Sequence, residues 1–128
     1  MNDRPRSTWS VWDLDVFQRA YWLSLEIHRT SQSFPKSEQY GGVADQLRRA
    51  SKSICALIAE GAGRQRGSDV EFRRYLVMAL GSTEECKLWC AYARDLEFVV
   101  ETEASRWHAA FEEIARMLQG LIKRISDH

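Results

Sequence analysis

Seven basic side chains fall between Val43 and Arg74: Arg48, Arg49, Lys52, Arg64, Arg66, Arg73 and Arg74. They outnumber the acids of that stretch, Asp45, Glu60, Asp69 and Glu71, by three. Guanidinium and ammonium groups gathered in this way can meet phosphate oxygens, which gives affinity for an RNA or DNA backbone without sequence choice and a steep dependence on salt. Arg48 and Lys52 share one side of any helix, where like charges repel by roughly 0.2–0.5 kcal/mol. Arg64 and Arg66 sit in a glycine-rich turn, placed to reach phosphates. From Glu84 to Glu113 the balance reverses, with Glu84, Glu85, Asp95, Glu97, Glu101, Glu103, Glu112 and Glu113 against Lys87, Arg94 and Arg106. Three readings fit such a dipolar chain. The basic band contacts nucleic acid, or basic and acidic faces of neighbouring subunits meet, or both are solvated faces tied by i,i+4 pairs such as Asp45–Arg49 and Glu112–Arg116.

Other chemistry has thinner support. A di-iron bundle needs inward carboxylates and repeated Glu-x-x-His, and that motif does not occur in the sequence. Cys86 and Cys90 lie one helical turn apart, enough for half a metal site, but both fall in an apolar seam where cysteine acts as a small hydrophobe. His28, His108 and His128 have no serine or cysteine partner at a recognisable spacing. Gly61-Ala62-Gly63-Arg64 resembles a fragment of a phosphate loop, yet it follows a helical pattern and lacks the Gly-Lys-Ser/Thr ending. A helix stop is the simpler role. No catalytic residue, metal or cofactor is expected.

The elements that must position these groups are all helical. Val16, Ala20, Leu23 and Ile27 recur at helical spacing within 13–32. Phe34-Pro35 closes that pattern, because the residue before proline is driven from the helical region. A second pattern, 38–62, puts Val43, Leu47, Ala50, Ile54, Leu57 and Ile58 on one face before Gly61, Gly63 and Gly67 break it. Ser68-Asp69-Val70-Glu71 reads as a capping box that opens the third helix, whose Phe72, Leu76, Ala79, Thr83, Cys86, Cys90 and Ala93 line one side. The fourth, 102–125, has the seam Trp107, Phe111, Ile114, Leu118, Leu121 and Ile125. Four amphipathic helices with short connections make an all-α, up-down-up-down four-helix bundle over 13–126, preceded by a flexible lead-in over 1–12.

Apolar surface remains outside these seams. Tyr21, Trp22 and Leu25 fall on the side of the first helix away from its core stripe. Val77, Leu88 and Tyr92 do so on the third, with Gly81 between them. A mid-helix glycine costs about 1 kcal/mol relative to alanine, which close packing against its backbone would explain. These seven residues are expected at a subunit interface of a homo-oligomer.

Eighteen basic and eighteen acidic residues cancel, so no global field draws the chain to nucleic acid or an acidic membrane. The apolar runs are far short of the roughly 20 residues needed to span a bilayer. The opening MNDRPRSTWS lacks the apolar core of a secretory leader, and three cysteines suit a reducing compartment. A cytoplasmic protein is expected.

Several segments then carry a family likeness. Leu14-Asp15-Val16-Phe17-Gln18-Arg19-Ala20 is followed by Phe34-Pro35-Lys36-Ser37-Glu38-Gln39-Tyr40-Gly41 and Asp45-Gln46-Leu47-Arg48-Arg49-Ala50. Next come Ile58-Ala59-Glu60-Gly61-Ala62-Gly63-Arg64, Glu71-Phe72-Arg73-Arg74-Tyr75-Leu76, Ala79-Leu80-Gly81-Ser82 and Met117-Leu118-Gln119-Gly120-Leu121-Ile122. Over 14–125 the chain resembles the four-helix-bundle proteins encoded in intervening sequences of bacterial 23S ribosomal RNA genes, also labelled S23 ribosomal proteins. The resemblance implies a bacterial cytosolic bundle that assembles into a ring-like homopentamer, without an established activity. It also implies kinship with the accessory protein of diversity-generating retroelements, which binds nucleic acid and a reverse transcriptase. Cys55 and Leu57 stand where that family commonly has proline and asparagine. The expected function is a non-catalytic oligomeric bundle whose basic band meets a nucleic-acid backbone. The alternative is a protein-interaction scaffold that binds no nucleic acid.

Overall fold

The computed structural model describes residues 10–64 and 68–126. Four helices make up the body: α1, Asp15–Ser31; α2, Val43–Arg64; α3, Asp69–Asp95; and α4, Glu101–Ser126. Each stripe read from the sequence is buried except at Leu57, Leu121 and Ile125, which are half-buried. Val16, Ala20, Leu23 and Ile27 of α1 meet Leu47, Ala50, Ile54 and Ile58 of α2, Leu76, Ala79, Cys86 and Cys90 of α3, and Trp107, Phe111, Ile114 and Leu118 of α4 in one contiguous core. Successive helices pack side by side and α4 returns against α1, whereas the backbones of α1 and α3 stay apart across the core. They are therefore diagonal corners of an up-down-up-down bundle, and they run in the same direction.

Local chemistry sets the helix ends. Ahead of α1, Val11–Asp13 forms a 3-10 turn with a complete capping box between Ser10 and Asp13. Trp12 stands edge-on to Phe17 and Tyr21, with ring centres 4.7 and 4.8 Å apart. The flexible lead-in expected over 1–12 thus falls outside the described residues for 1–9, and 10–12 are docked. Between α1 and α2, Gly41 takes a left-handed φ of 80°. The Glu38 carboxylate accepts from the Val43 amide at 2.7 Å, satisfying one open donor of α2. Ser68 caps α3 by accepting from the Glu71 amide at 3.3 Å, while the Glu71 carboxylate lies on Arg74 at 3.0 Å. The α3 C-terminus is a Schellman turn, with Phe98 N–H donating to the Ala93 carbonyl and Glu97 N–H to that of Arg94. Glu97 occupies the left-handed position at φ 63°.

One feature of α2 differs from the sequence expectation, and one agrees with it. Helix α2 does not stop at Gly61 but continues to Arg64. Gly61 is buried where α2 crosses α3, and a Cβ there would stand 2.6 Å from that of Tyr75. Close approach of two helices, rather than termination, is what requires this glycine. Helix α2 also runs unbroken through Cys55 and Leu57, as expected where no proline interrupts it.

Polar groups in the interior are satisfied locally. Buried Ser24, Ser31, Ser51 and Thr83 donate to carbonyls three or four residues back. The indole N–H of buried Trp107 donates to Glu26 at 2.8 Å. Arg106 bridges Glu26 and Glu103 across the rim of the α1–α4 seam.

Candidate interaction surfaces

The basic band does not form one surface. Arg48 turns inward, and its guanidinium donates to Ser31 Oγ at 2.8 Å and to the Gln39 carbonyl at 3.2 Å. Gln39 in turn donates to the carbonyls of Ser31 and Phe34. Arg48 thereby locks the α1–α2 corner, a structural duty that its spacing from Lys52 did not reveal. Arg49 pairs with Asp45 at 2.9 Å. Lys52 Nζ lies 3.0 Å from His28 Nδ1. Partial burial, then the charges of Lys52, Arg48 and Arg29, hold the His28 pKa below its usual 6.5.

The remaining bases gather about 18–24 Å away, toward the other end of α2. Arg64 pairs with Glu60, and Arg74 with Glu71. Both guanidinium groups sit over the Tyr75 ring, at 5.4 and 4.9 Å from its centre, whose hydroxyl donates to Glu60. Arg73 donates to Ser126 at 2.6 Å. Arg66, like Gly67, lies outside the described residues. The expected Glu112–Arg116 pair is replaced: Arg116 meets Glu113 at 3.0 Å, while Glu112 crosses to Lys87 of α3 at 3.0 Å. The cross-helix lysine wins because it bridges two carboxylates, Glu84 and Glu112.

The thiols are poorly placed for chemistry. Burial pushes the Cys90 thiol up to about 12, raises Cys86 further still, and lifts Cys55 to about 11. Thiolate is the nucleophile and the metal ligand, so all three side chains behave as apolar packing groups near neutral pH. Among the described residues, no three metal-ligating side chains converge.

The apolar excess is real and lies on two corners. On α1, Trp22 is 64% exposed and Leu25 is half-buried. Tyr21 is half-buried too, under the Trp12 ring of its own chain. On α3, Val77, Leu88 and Tyr92 are exposed, and Gly81 is open: a Cβ there would meet nothing within 4 Å. Val70 and Met78 extend the same outer side, and Trp89 leans on Tyr92 with ring centres 5.5 Å apart. Helix α3 therefore carries apolar side chains on its outer side as well as on its inner stripe, interleaved with exposed Arg74, Glu84 and Glu85. Within this chain α2 and α4 cover its inner side and leave the outer side bare.

Compared with known proteins, residues 12–120 match the family model described as 23S rRNA-intervening sequence protein. A solved structure with TM-score 0.75 and 21% identity covers 84% of this chain and 95% of its own. It is a crystal structure of a protein of unknown function from the S23 ribosomal protein family of Bacteroides thetaiotaomicron. At that identity the likeness shows the bundle fold. No curated protein matches the chain.

Proposed function

Since the chain belongs to the 23S rRNA-intervening sequence protein family, we propose that it acts as a non-catalytic, self-assembling helical scaffold of the cytoplasm. The observation that carries this reading is the outer side of α3, where Val77, Leu88 and Tyr92 are bare around an open Gly81. Exposed apolar side chains that run the length of a helix mark a protein contact. No described helix is long and apolar enough to cross a membrane. A ring-like homopentamer is the assembly that the family likeness suggests. Sedimentation velocity at micromolar concentration tests the reading: a discrete oligomer is expected, and a persistent monomer of 14.8 kDa overturns it.

A second reading is supported by the side chains of Arg49, Lys52, Arg64, Arg73 and Arg74, which reach solvent. Repeated around an assembly, two basic clusters per copy give many weak phosphate contacts, and weak contacts add through multivalency. Binding to single-stranded or duplex RNA should then fall steeply with salt. Replacing Lys52 or Arg73 by glutamine should lower the log–log salt slope by about one for each phosphate that the removed charge neutralises. Absence of retention on heparin at low salt sinks this reading and leaves a scaffold that binds protein alone.

A further inference from the structure

We infer that the two outer faces are the two halves of one contact, in which Trp22 on α1 of one copy seats over Gly81 on α3 of the next, with the helices parallel. The inference rests on the self-assembly reading above and specifies how the contact is built.

Three observations lead to it. The first is shape. The α1 face presents a protruding indole, and the α3 face presents an open glycine flanked by Val77 and Leu88. A knob and a notch on diagonal corners complement each other and do not complement themselves.

The second is charge at matched height. With a rise of about 1.5 Å per residue, Asp15 lies about 10 Å below Trp22, and Arg74 about 10 Å below Gly81. Arg29 lies about 10 Å above Trp22, while Glu84 and Glu85 lie about 5–6 Å above Gly81. Set parallel, the faces bring Asp15 to Arg74 and Arg29 toward the two glutamates. Set antiparallel, they bring Arg29 onto Arg74 and Asp15 toward Glu84 and Glu85. That arrangement sets two like-charge encounters against one attraction, exposed Arg19 coming near Glu84 and Glu85, so charge favours the parallel register. Asp15 and Arg29 are both exposed, and neither has an ion-pair partner among the described residues of its own chain.

The third is direction. Helices α1 and α3 run the same way on diagonal corners, their backbones apart. A copy rotated about an axis along the bundle therefore presents α1 parallel to its neighbour's α3. Such a contact is head-to-tail, and repetition closes it into a ring or extends it as a filament.

Mixing two variants tests the pairing. Trp22→Glu removes the knob and leaves the notch, whereas Gly81→Gln fills the notch and leaves the knob. Both positions are exposed, so each variant should retain the wild-type helical circular dichroism. Alone, each should self-associate at least about 30-fold more weakly than wild type, as expected for loss of a central aromatic anchor. Mixed in equal amounts, they should form a dimer through the one intact contact and nothing larger. In a separate pair, Asp15→Arg should weaken association about two- to fivefold, and Arg74→Asp in the same chain should restore it. Either knob or notch variant assembling like wild type, a mixture that stays monomeric, or no restoration by the charge swap overturns the inference while self-assembly stands. A monomeric wild type overturns both.

Discussion

Helices α3 and α4 are nearly equal in length, 27 and 26 residues, and each buries one clean stripe, yet their outer sides differ. Opposite Trp107, Phe111 and Ile114, helix α4 shows Thr102, Ser105, Arg116, Gln119 and Lys123 to solvent. Opposite Phe72, Thr83 and Cys90, helix α3 shows Val77, Gly81, Leu88 and Tyr92. The fold needs only the inner stripes. What α3 carries beyond that is not required by a single copy of the bundle, and a segment of sequence that exceeds the needs of the fold points to a partner. α4 is the internal control: the same length, the same antiparallel environment and no excess.

The comparison can be strained from either side. The largest effect should come from the inner stripe: Trp107→Ala removes the largest fully buried side chain and orphans Glu26 from its indole donor. Chemical denaturation should show a loss of about 3–5 kcal/mol; a loss under about 1 kcal/mol would mean that the α1–α4 seam is not a packed core. Next, Gly61→Ala should cost about 1–3 kcal/mol, because the new methyl collides with Tyr75. Gly81→Ala should reverse that sign in dilute protein, where single copies prevail, stabilising by about 0.5–1 kcal/mol because its methyl enters open space and helix propensity improves. Equal effects at the two glycines would erase the distinction between the packed α2–α3 contact and the outer face of α3.

The smallest effect concerns His28. Its folded pKa lies below the unfolded value of 6.5, so the unfolded chain binds more protons as pH falls through that region, and stability drops. His28→Gln should flatten the decline in melting temperature from about pH 6.5 downward. An unchanged pH profile would mean that neither burial nor the neighbouring charges act on His28.

How far the sequence can be read follows from what sets each feature. The inner stripes are legible because period and burial are coupled along one helix: Leu76, Cys86 and Trp107 need no knowledge of their neighbours to be placed inside. The bare faces of Trp22 and Leu88 are legible by the same rule, as what remains. Contacts between distant segments are not. Spacing alone assigns Arg48 to solvent as half of a phosphate-binding pair, and only the return of Ser31 and Gln39 to its side recruits it into the α1–α2 corner. Gly61 reads as a helix stop because glycine is both a breaker and a spacer, and the choice depends on Tyr75, which lies on the next helix. Spacing likewise pairs Glu112 along its own helix, although a lysine across the groove already holds Glu84. In all three cases tertiary proximity overrules local spacing.

The cysteines have a practical consequence. Cys86 and Cys90 are sealed between helices and keep their protons well above neutral pH, whereas Cys55 is only half-buried. An alkylating reagent should therefore mark Cys55 first and reach the other two only when the helices part. The pace of that second labelling is an intrinsic stopwatch for bundle opening, and assembly of copies around α3 should slow it.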